Sequence, residues 1–288
     1  MNIRTTRHAL LARLLPDDRP EELTVRQGQF HQVVMGSEHV VCLPRTPAAA
    51  ARLPRRAAVL RALAGLGLGF RTPEPLARGG APGSDEEPFL VLGRIPGEPL
   101  EPAALHDARV ADAVAAQYAA LLAALDRAGA DPRVRAVLPH APEGRWRRFA
   151  GDVRAELFVL MSGSGRLRAE RELAALDDGL PHLTGAVVHG DLGAENVLWE
   201  WEHGLPRLAG VLDWDDVELG DPAEDFAAVG ASYGHDFLGR VLAPDSGAES
   251  GLPARAAAIR GTFALQQALH ARRDGDEEEL ADGLAGYR

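Results

Sequence analysis

Between Ala186 and Asp215 the chain alternates short β-branched apolar runs with glycine- and proline-marked turns, and polar residues stand at the ends of the runs. Ala186-Val187-Val188 leads into His189-Gly190-Asp191, and Asn196-Val197-Leu198-Trp199 follows. Gly204-Leu205-Pro206 then turns the chain, and Leu208 to Leu212 ends on Asp213-Trp214-Asp215. Runs of this composition bounded by Gly and Pro predict strand–loop–strand–turn–strand. Gly190 and Gly193 give the first loop a backbone freedom that bulkier residues lack. A hairpin of this kind puts Asn196 and Asp213 on adjacent strands beside the loop that carries Asp191.

Each of the three alone is an ordinary turn residue, helix cap or strand terminator. Together they have a chemical logic. A loop carboxylate, Asp191, can accept a hydroxyl proton, and an amide and a second carboxylate, Asn196 and Asp213, can share a cation. Hard oxygen ligands in small number, completed by phosphates and water, describe Mg²⁺ rather than zinc or iron. One acceptor-side base and two cation ligands are the parts that phosphoryl transfer needs. His189 reads as a structural residue that hydrogen-bonds the loop.

The pattern HGD-x₄-N, with a later apolar run ending in Asp-Trp, resembles the aminoglycoside phosphotransferase family, antibiotic and choline kinases of protein-kinase-like fold. The resemblance implies an α+β fold of two lobes, a small β-rich N-lobe and a larger helical C-lobe. Residues 1–95 would form the nucleotide-binding lobe with a hinge at its end, and residues 96–288 the catalytic and substrate-binding lobe. It implies Asp191 as the catalytic residue, Asn196 and Asp213 as Mg²⁺ ligands, and ATP or GTP as phosphate donor. Gly220-Asp221-Pro222-Ala223-Glu224-Asp225 matches the family's GDP-x-x-D segment. Asp221 reads as an N-cap before Pro222, and Asp225 as a brace for the catalytic loop.

In the first 95 residues, Leu23 to Val34 and His39 to Leu43 are strand-like, a helix is expected from Leu53 to Ala64, and Phe89 to Leu92 is a buried strand. Gly28 would permit a turn over the phosphates, and Gly79–Glu87 reads as a loop. Gly93-Arg94-Ile95-Pro96-Gly97 resembles the family's hinge, where Gly93 and Ile95 would meet the base through main-chain atoms. Beyond Glu101 the chain is helical. Val110, Val114, Tyr118, Leu121 and Leu125 make one buried stripe. Further helices are expected at Trp146–Met161, Leu167–Leu176, Ala223–Val229, Asp236–Leu242, Arg255–Arg272 and Glu277–Leu284.

Charge narrows the partners. The 42 acidic residues outnumber 31 basic ones, all arginine, for a net charge of −11. That balance argues against nucleic acid, which needs a basic footprint, and favours a cationic ligand. Glu195, Asp215, Asp216 and Glu218 flank the motifs, and Asp274 and Glu278 belong to a dense acidic run; these six are the candidate acceptor contacts. No apolar run approaches the ~20 residues that span a bilayer, so no membrane partner is expected. The single cysteine, Cys42, excludes an internal disulfide and suits a reducing cytoplasm.

The chain also departs from the family. Kinase-like folds carry a cation on the third strand and a glutamate on the next helix, whereas the alignment here puts Cys42 and Arg56 at those positions. Either the protein is a catalytically silent nucleotide binder, or the cation has moved to the helix and Arg56 meets the phosphates. Arg56 would then point inward with no carboxylate partner; Arg45 and Arg55 are the other candidates. Gly28-Gln29-Phe30-His31, Phe263 to Gln267 and Arg273 to Glu279 resemble the viomycin and capreomycin (tuberactinomycin) phosphotransferases within the family. That resemblance implies a basic cyclic peptide antibiotic as acceptor, phosphorylated on a serine-type hydroxyl, with resistance as the outcome. An aminoglycoside, a macrolide or another small alcohol is the alternative acceptor. The oligomeric state is left open.

Overall fold

The computed structural model describes residues 7–28, 30–80, 86–177, 185–243 and 251–288. Gln29 and residues 81–85 of the expected Gly79–Glu87 loop lie outside these. In chain order the first six strands are β1 (Thr24–Gln27), β2 (His31–Met35), β3 (His39–Pro44), β4 (Pro75–Gly79), β5 (Phe89–Gly93) and β6 (Glu98–Pro99). They are followed by β7 (Ala186–Val188), β8 (Val197–Glu202), β9 (Leu205–Val211) and β10 (Glu218–Gly220). The chain divides into two compact units, the first comprising Met1–Glu101, Asp131–Leu138 and Glu195–Asp215. The second comprises Pro102–Ala130, Pro139–Ala194 and Asp216–Arg288.

The first unit is built on an antiparallel sheet of order β1-β2-β3-β5-β4. Val34, Val41, Leu43, Phe89 and Val91 pack from it against Leu11 of the His8–Leu14 helix and Leu15 at its C-cap. The strand-like stretch Leu23 to Val34 is two strands, broken where Gly28 N–H donates to His31 O at 2.9 Å. The hairpin β8–β9 belongs to this unit although it follows the second unit's strand β7 in the chain. β6 pairs with β8, and Arg71 bridges Gly210 of β9. Gly97 allows the close approach: its φ is +101°, and a Cβ there would meet Trp199 O at 2.7 Å.

The helix expected from Leu53 begins six residues earlier, as Pro47–Ala64, because Thr46 caps it by accepting Ala49 N–H at 3.1 Å and Pro47 occupies its first turn. Pro54 therefore lies inside the helix, where a proline costs about 3 kcal/mol. Burial of Leu53, Leu60 and Leu63 offsets this, at ~1.5–3 kcal/mol for each leucine.

The second unit is mainly helical, with β7 and β10 paired antiparallel. Its core gathers Val153, Leu157, Leu173, Ala227, Ile259, Leu265, Leu269 and Tyr287. The Ala108–Ala128 helix, capped by Asp107, buries the expected stripe of Val110, Val114, Tyr118, Leu121 and Leu125. It is long and apolar enough, at mean hydropathy 1.3, to pass as a membrane span, but half of it is buried within the protein. The helix expected over Arg255–Arg272 is two, Leu252–Gly261 and Phe263–Asp274. The break falls at Thr262, whose hydroxyl donates to Ile259 O at 2.7 Å and competes with the helical ladder.

Candidate active site

Asp191 is exposed at the end of a loop that leaves β7 in the second unit. The loop backbone is fixed from below by Asp225, whose carboxylate accepts His189 N–H at 2.8 Å and Gly190 N–H at 3.0 Å. Gly190 has φ +87°, a conformation side-chain-bearing residues rarely adopt. His189 Nδ1 accepts Asp191 N–H at 3.2 Å, so the histidine shapes the loop, as its position in the sequence implied. Asp225 comes from the Ala223–Tyr233 helix, where Asp221 caps the first turn by accepting Ala223 N–H at 3.0 Å. Asp221 in turn is ion-paired at 2.8 Å with Arg255, and both are almost fully buried. The whole support is a chain of satisfied buried polar groups.

Asn196 and Asp213 lie in the first unit, at the two ends of the β8–β9 hairpin. Val197 pairs with Val211, and Leu212 N–H donates to Asn196 O at 2.8 Å, which sets the two residues on neighbouring strand ends. Asp213 has φ +52°, an uncommon left-handed conformation for a residue with a side chain. Trp214 holds that bend. Its indole N–H donates to Val211 O at 2.9 Å, and its ring stacks on Phe70 at a 6.5 Å centroid distance. Asn196 and Asp213 offer an amide oxygen and a carboxylate, the donor chemistry Mg²⁺ takes. Among the described residues no group of three or more His, Cys, Asp or Glu is placed to hold a metal alone. A cation at this pair would draw its other ligands from phosphate and water.

Beside Asp213 stands a polar cluster that the sequence reading only partly anticipated. Arg56 is directed inward, as expected, but it does have a carboxylate partner: its Nε lies 2.8 Å from Asp215 Oδ1. Arg56 Nη1 approaches His31 Nδ1 at 3.3 Å. Burial, and then the Arg56 charge, pull His31 down to about 4 against the opposing charge of Asp213. His31 is therefore neutral near pH 7, and its Nδ1 accepts from Arg56. Cys42, on β3 and 3% exposed, lies within the field of the same guanidinium, although burial pushes its thiol up. The strand position thus carries no cation, and the helix supplies one to the same neighbourhood.

Other expected nucleotide contacts are placed as follows. Gly28 sits at the β1–β2 turn, where Arg45 Nη1 donates to its carbonyl at 2.9 Å. Gly93 N–H donates to Glu74 O at 2.9 Å, so a contribution from Gly93 to a base would run through its carbonyl. Ile95 packs its side chain on Leu198 and Ala209. Gly93 and Ile95 also line a cavity of about 580 Å³ within the first unit, together with Phe70, Thr72 and Leu208.

The six acidic candidates divide. Glu195 and Asp216 are exposed. Asp215 is engaged by Arg56, and Glu218 is buried and ion-paired with Arg145, which also holds Glu224 at 2.7 Å. Glu218 is therefore corrected from an acceptor contact to a member of an internal ion-pair cluster. Asp274 pairs with His270 at 3.1 Å at a helix end. Glu278 lies in the first turn of the Glu277–Gly283 helix, and its N–H is capped by Asp276.

Residues 25–259 match the model of the phosphotransferase enzyme family. The chain belongs to that family. It is 65% identical over 288 residues, the full length of both chains, to viomycin phosphotransferase of Streptomyces vinaceus. Solved structures with the same fold include a GDP complex of a wild-type aminoglycoside 2'-phosphotransferase, with TM-score 0.79, 19% identity and 99% and 97% of the two chains covered. Another is the apoenzyme of a macrolide 2'-phosphotransferase from Brachybacterium faecium, with TM-score 0.73, 22% identity and 97% of each chain covered.

Three features of this phosphotransferase had no reading in the sequence: His31 as a partner of Arg56, Asp215 as its carboxylate, and the triad of Arg145, Glu218 and Glu224. All are pairings between residues distant in sequence. An arginine-only basic complement offers no local signal for which arginine meets which acid. In the triad, burial outweighs Arg145 and pushes Glu224 up to about 7.

Proposed function

We propose that this phosphotransferase moves the γ-phosphate of ATP or GTP to a serine-type hydroxyl of a cationic cyclic peptide antibiotic of the viomycin–capreomycin class, and so confers resistance. The observation that carries the reading is the 65% identity to viomycin phosphotransferase over the whole length of both chains. In this reading Asp191 orients the acceptor hydroxyl and takes its proton as the oxygen attacks phosphorus. Asn196 and Asp213 hold Mg²⁺, which when bound neutralises charge on the donor phosphates. Arg56 adds a fixed positive charge from the first unit, and Gly28, Gly93 and Ile95 contribute main-chain surface toward the nucleotide. Exposed Glu195 and Asp216 are the acidic residues best suited to a cationic acceptor; Asp274 and Glu278 add negative charge farther along the chain. The single cysteine, buried and free, supports a cytoplasmic setting.

The silent-binder alternative loses its main support, because the missing strand cation is matched by a helix arginine beside Asp213. Incubating the purified protein with Mg²⁺ and ATP or GTP against viomycin, capreomycin, kanamycin and erythromycin, read by mass, tests the proposal. Phosphorylation of the two cyclic peptides ahead of the others is the expected result. Phosphorylation of kanamycin or erythromycin alone would replace the acceptor class, and nucleotide binding without any product would restore the silent protein.

A further inference from the structure

Phosphoryl transfer concentrates negative charge on the nucleotide's phosphates, and a metal alone leaves part of it uncompensated. A second cation is useful only if it is held still beside the metal carboxylate, since a mobile arginine loses much of its rotamer entropy on binding. In the first unit Arg56 meets that condition. Its Nε is held by Asp215 at 2.8 Å, its Nη1 by neutral His31 at 3.3 Å, and Asp215 follows Asp213 by two residues on a bend locked by Trp214. The side chains of Arg56 and Asp215 are 17% and 28% exposed, so the pair is partly shielded yet open to a ligand.

From this geometry we infer that Asp215 is a positioning residue for phosphate binding: it fixes Arg56 beside Asp213, so that the guanidinium is presented to the nucleotide's phosphates. The inference rests on the nucleotide-dependent reading above, and it takes Asp215 out of the set facing the antibiotic. The pair also inverts the expected polarity, with the cation on the helix and the anion in the segment that carries the metal ligand. A guanidinium can bind two phosphate oxygens at once, so its orientation matters as much as its charge. Losing Asp215 leaves the charge in place but frees its direction.

The test is a double-mutant cycle on equilibrium binding, with the triphosphate and the corresponding nucleoside titrated separately into wild-type protein, Arg56→Ala, Asp215→Asn, Asp215→Glu and the Arg56→Ala/Asp215→Asn double variant. Each Ala or Asn variant is expected to weaken triphosphate binding about tenfold, while nucleoside affinity stays within about twofold. Asp215→Glu should recover most of the loss. The double variant should be no worse than Arg56→Ala, because Asp215 acts through Arg56. The inference is overturned if Asp215→Asn leaves triphosphate affinity unchanged, if its loss adds in full to that of Arg56→Ala, or if nucleoside binding falls in parallel. A wild-type protein that binds no nucleotide would instead remove the underlying functional reading, and this inference with it. Binding by the wild type separates the two failures.

Discussion

Two clusters of charged residues support the proposed chemistry, and they are built differently. In the second unit, Asp225 accepts two backbone N–H groups of the Asp191 loop, and Asp221 is sealed against Arg255. Each of these acids is buried and bonded to protein. In the first unit, Asp213 sits in a left-handed bend, and the Arg56–Asp215 pair is partly exposed. There His31 Nε2 is buried with no hydrogen-bond partner among the described residues. The first cluster has completed its bonding and acts as a rigid platform. The second retains strain and a donor unmatched among the described residues, features that fit the nucleotide-facing role proposed for it. Charge count does not separate the platform from the surface proposed to face nucleotide; the degree of hydrogen-bond satisfaction does.

Substitutions can break this contrast, beginning with the largest effect. Asp191→Asn is expected to lower kcat by about 10²–10⁴ through loss of the general base, while the melting temperature stays close to wild type. Kinetics and a thermal melt on one preparation check both halves. Arg255→Ala should do the reverse. It leaves Asp221 charged and buried, so unfolding free energy should fall by ~3–5 kcal/mol in a denaturant titration, and activity per folded molecule should change far less.

The Arg145 triad gives a pH signature. Glu224 is held near 7 in the folded protein against an ordinary 4.5, so the folded state binds the extra proton in that interval. Its contribution to stability is therefore greatest in acid and declines as pH rises from about 4.5 to about 7, by up to roughly 3 kcal/mol. Melting curves across that range should show a shallower decline in Glu224→Gln than in wild type; parallel curves would reject the assignment. The smallest effect belongs to Arg273, which pairs with Asp152 and Glu156 at the surface. Arg273→Ala should cost no more than about 1 kcal/mol, and less at high salt.

Local sequence patterns encode much of this structure. The β8–β9 hairpin and the Asp191 loop follow from alternating β-branched runs and glycines, and the helical stripe of Val110 to Leu125 from its spacing. The Asp221 cap was likewise legible, since caps act within a few residues. The Asp225 brace reaches back 36 residues to His189 and followed from the match to the GDP-x-x-D segment, not from local pattern. Other features depended on distance or competition. Pro54 looks like a helix start, yet Thr46 and Pro47 nucleate the helix earlier and leucine burial carries it through. Thr262 looks like one more helical residue, yet its hydroxyl ends the helix. Asp215 and Glu218 look alike in an acidic stretch, and only folding shows that Arg56 meets one and Arg145 the other.

The central claim is hydroxyl phosphorylation with Asp191 as base, and fragmentation mass spectrometry of the product formed from viomycin, Mg²⁺ and nucleotide tests it most directly. The expected result is one phosphoryl group on a serine-type hydroxyl with wild-type protein, and almost none with Asp191→Asn that still binds nucleotide. Phosphate on an amine, or equal product from Asp191→Asn, would contradict it.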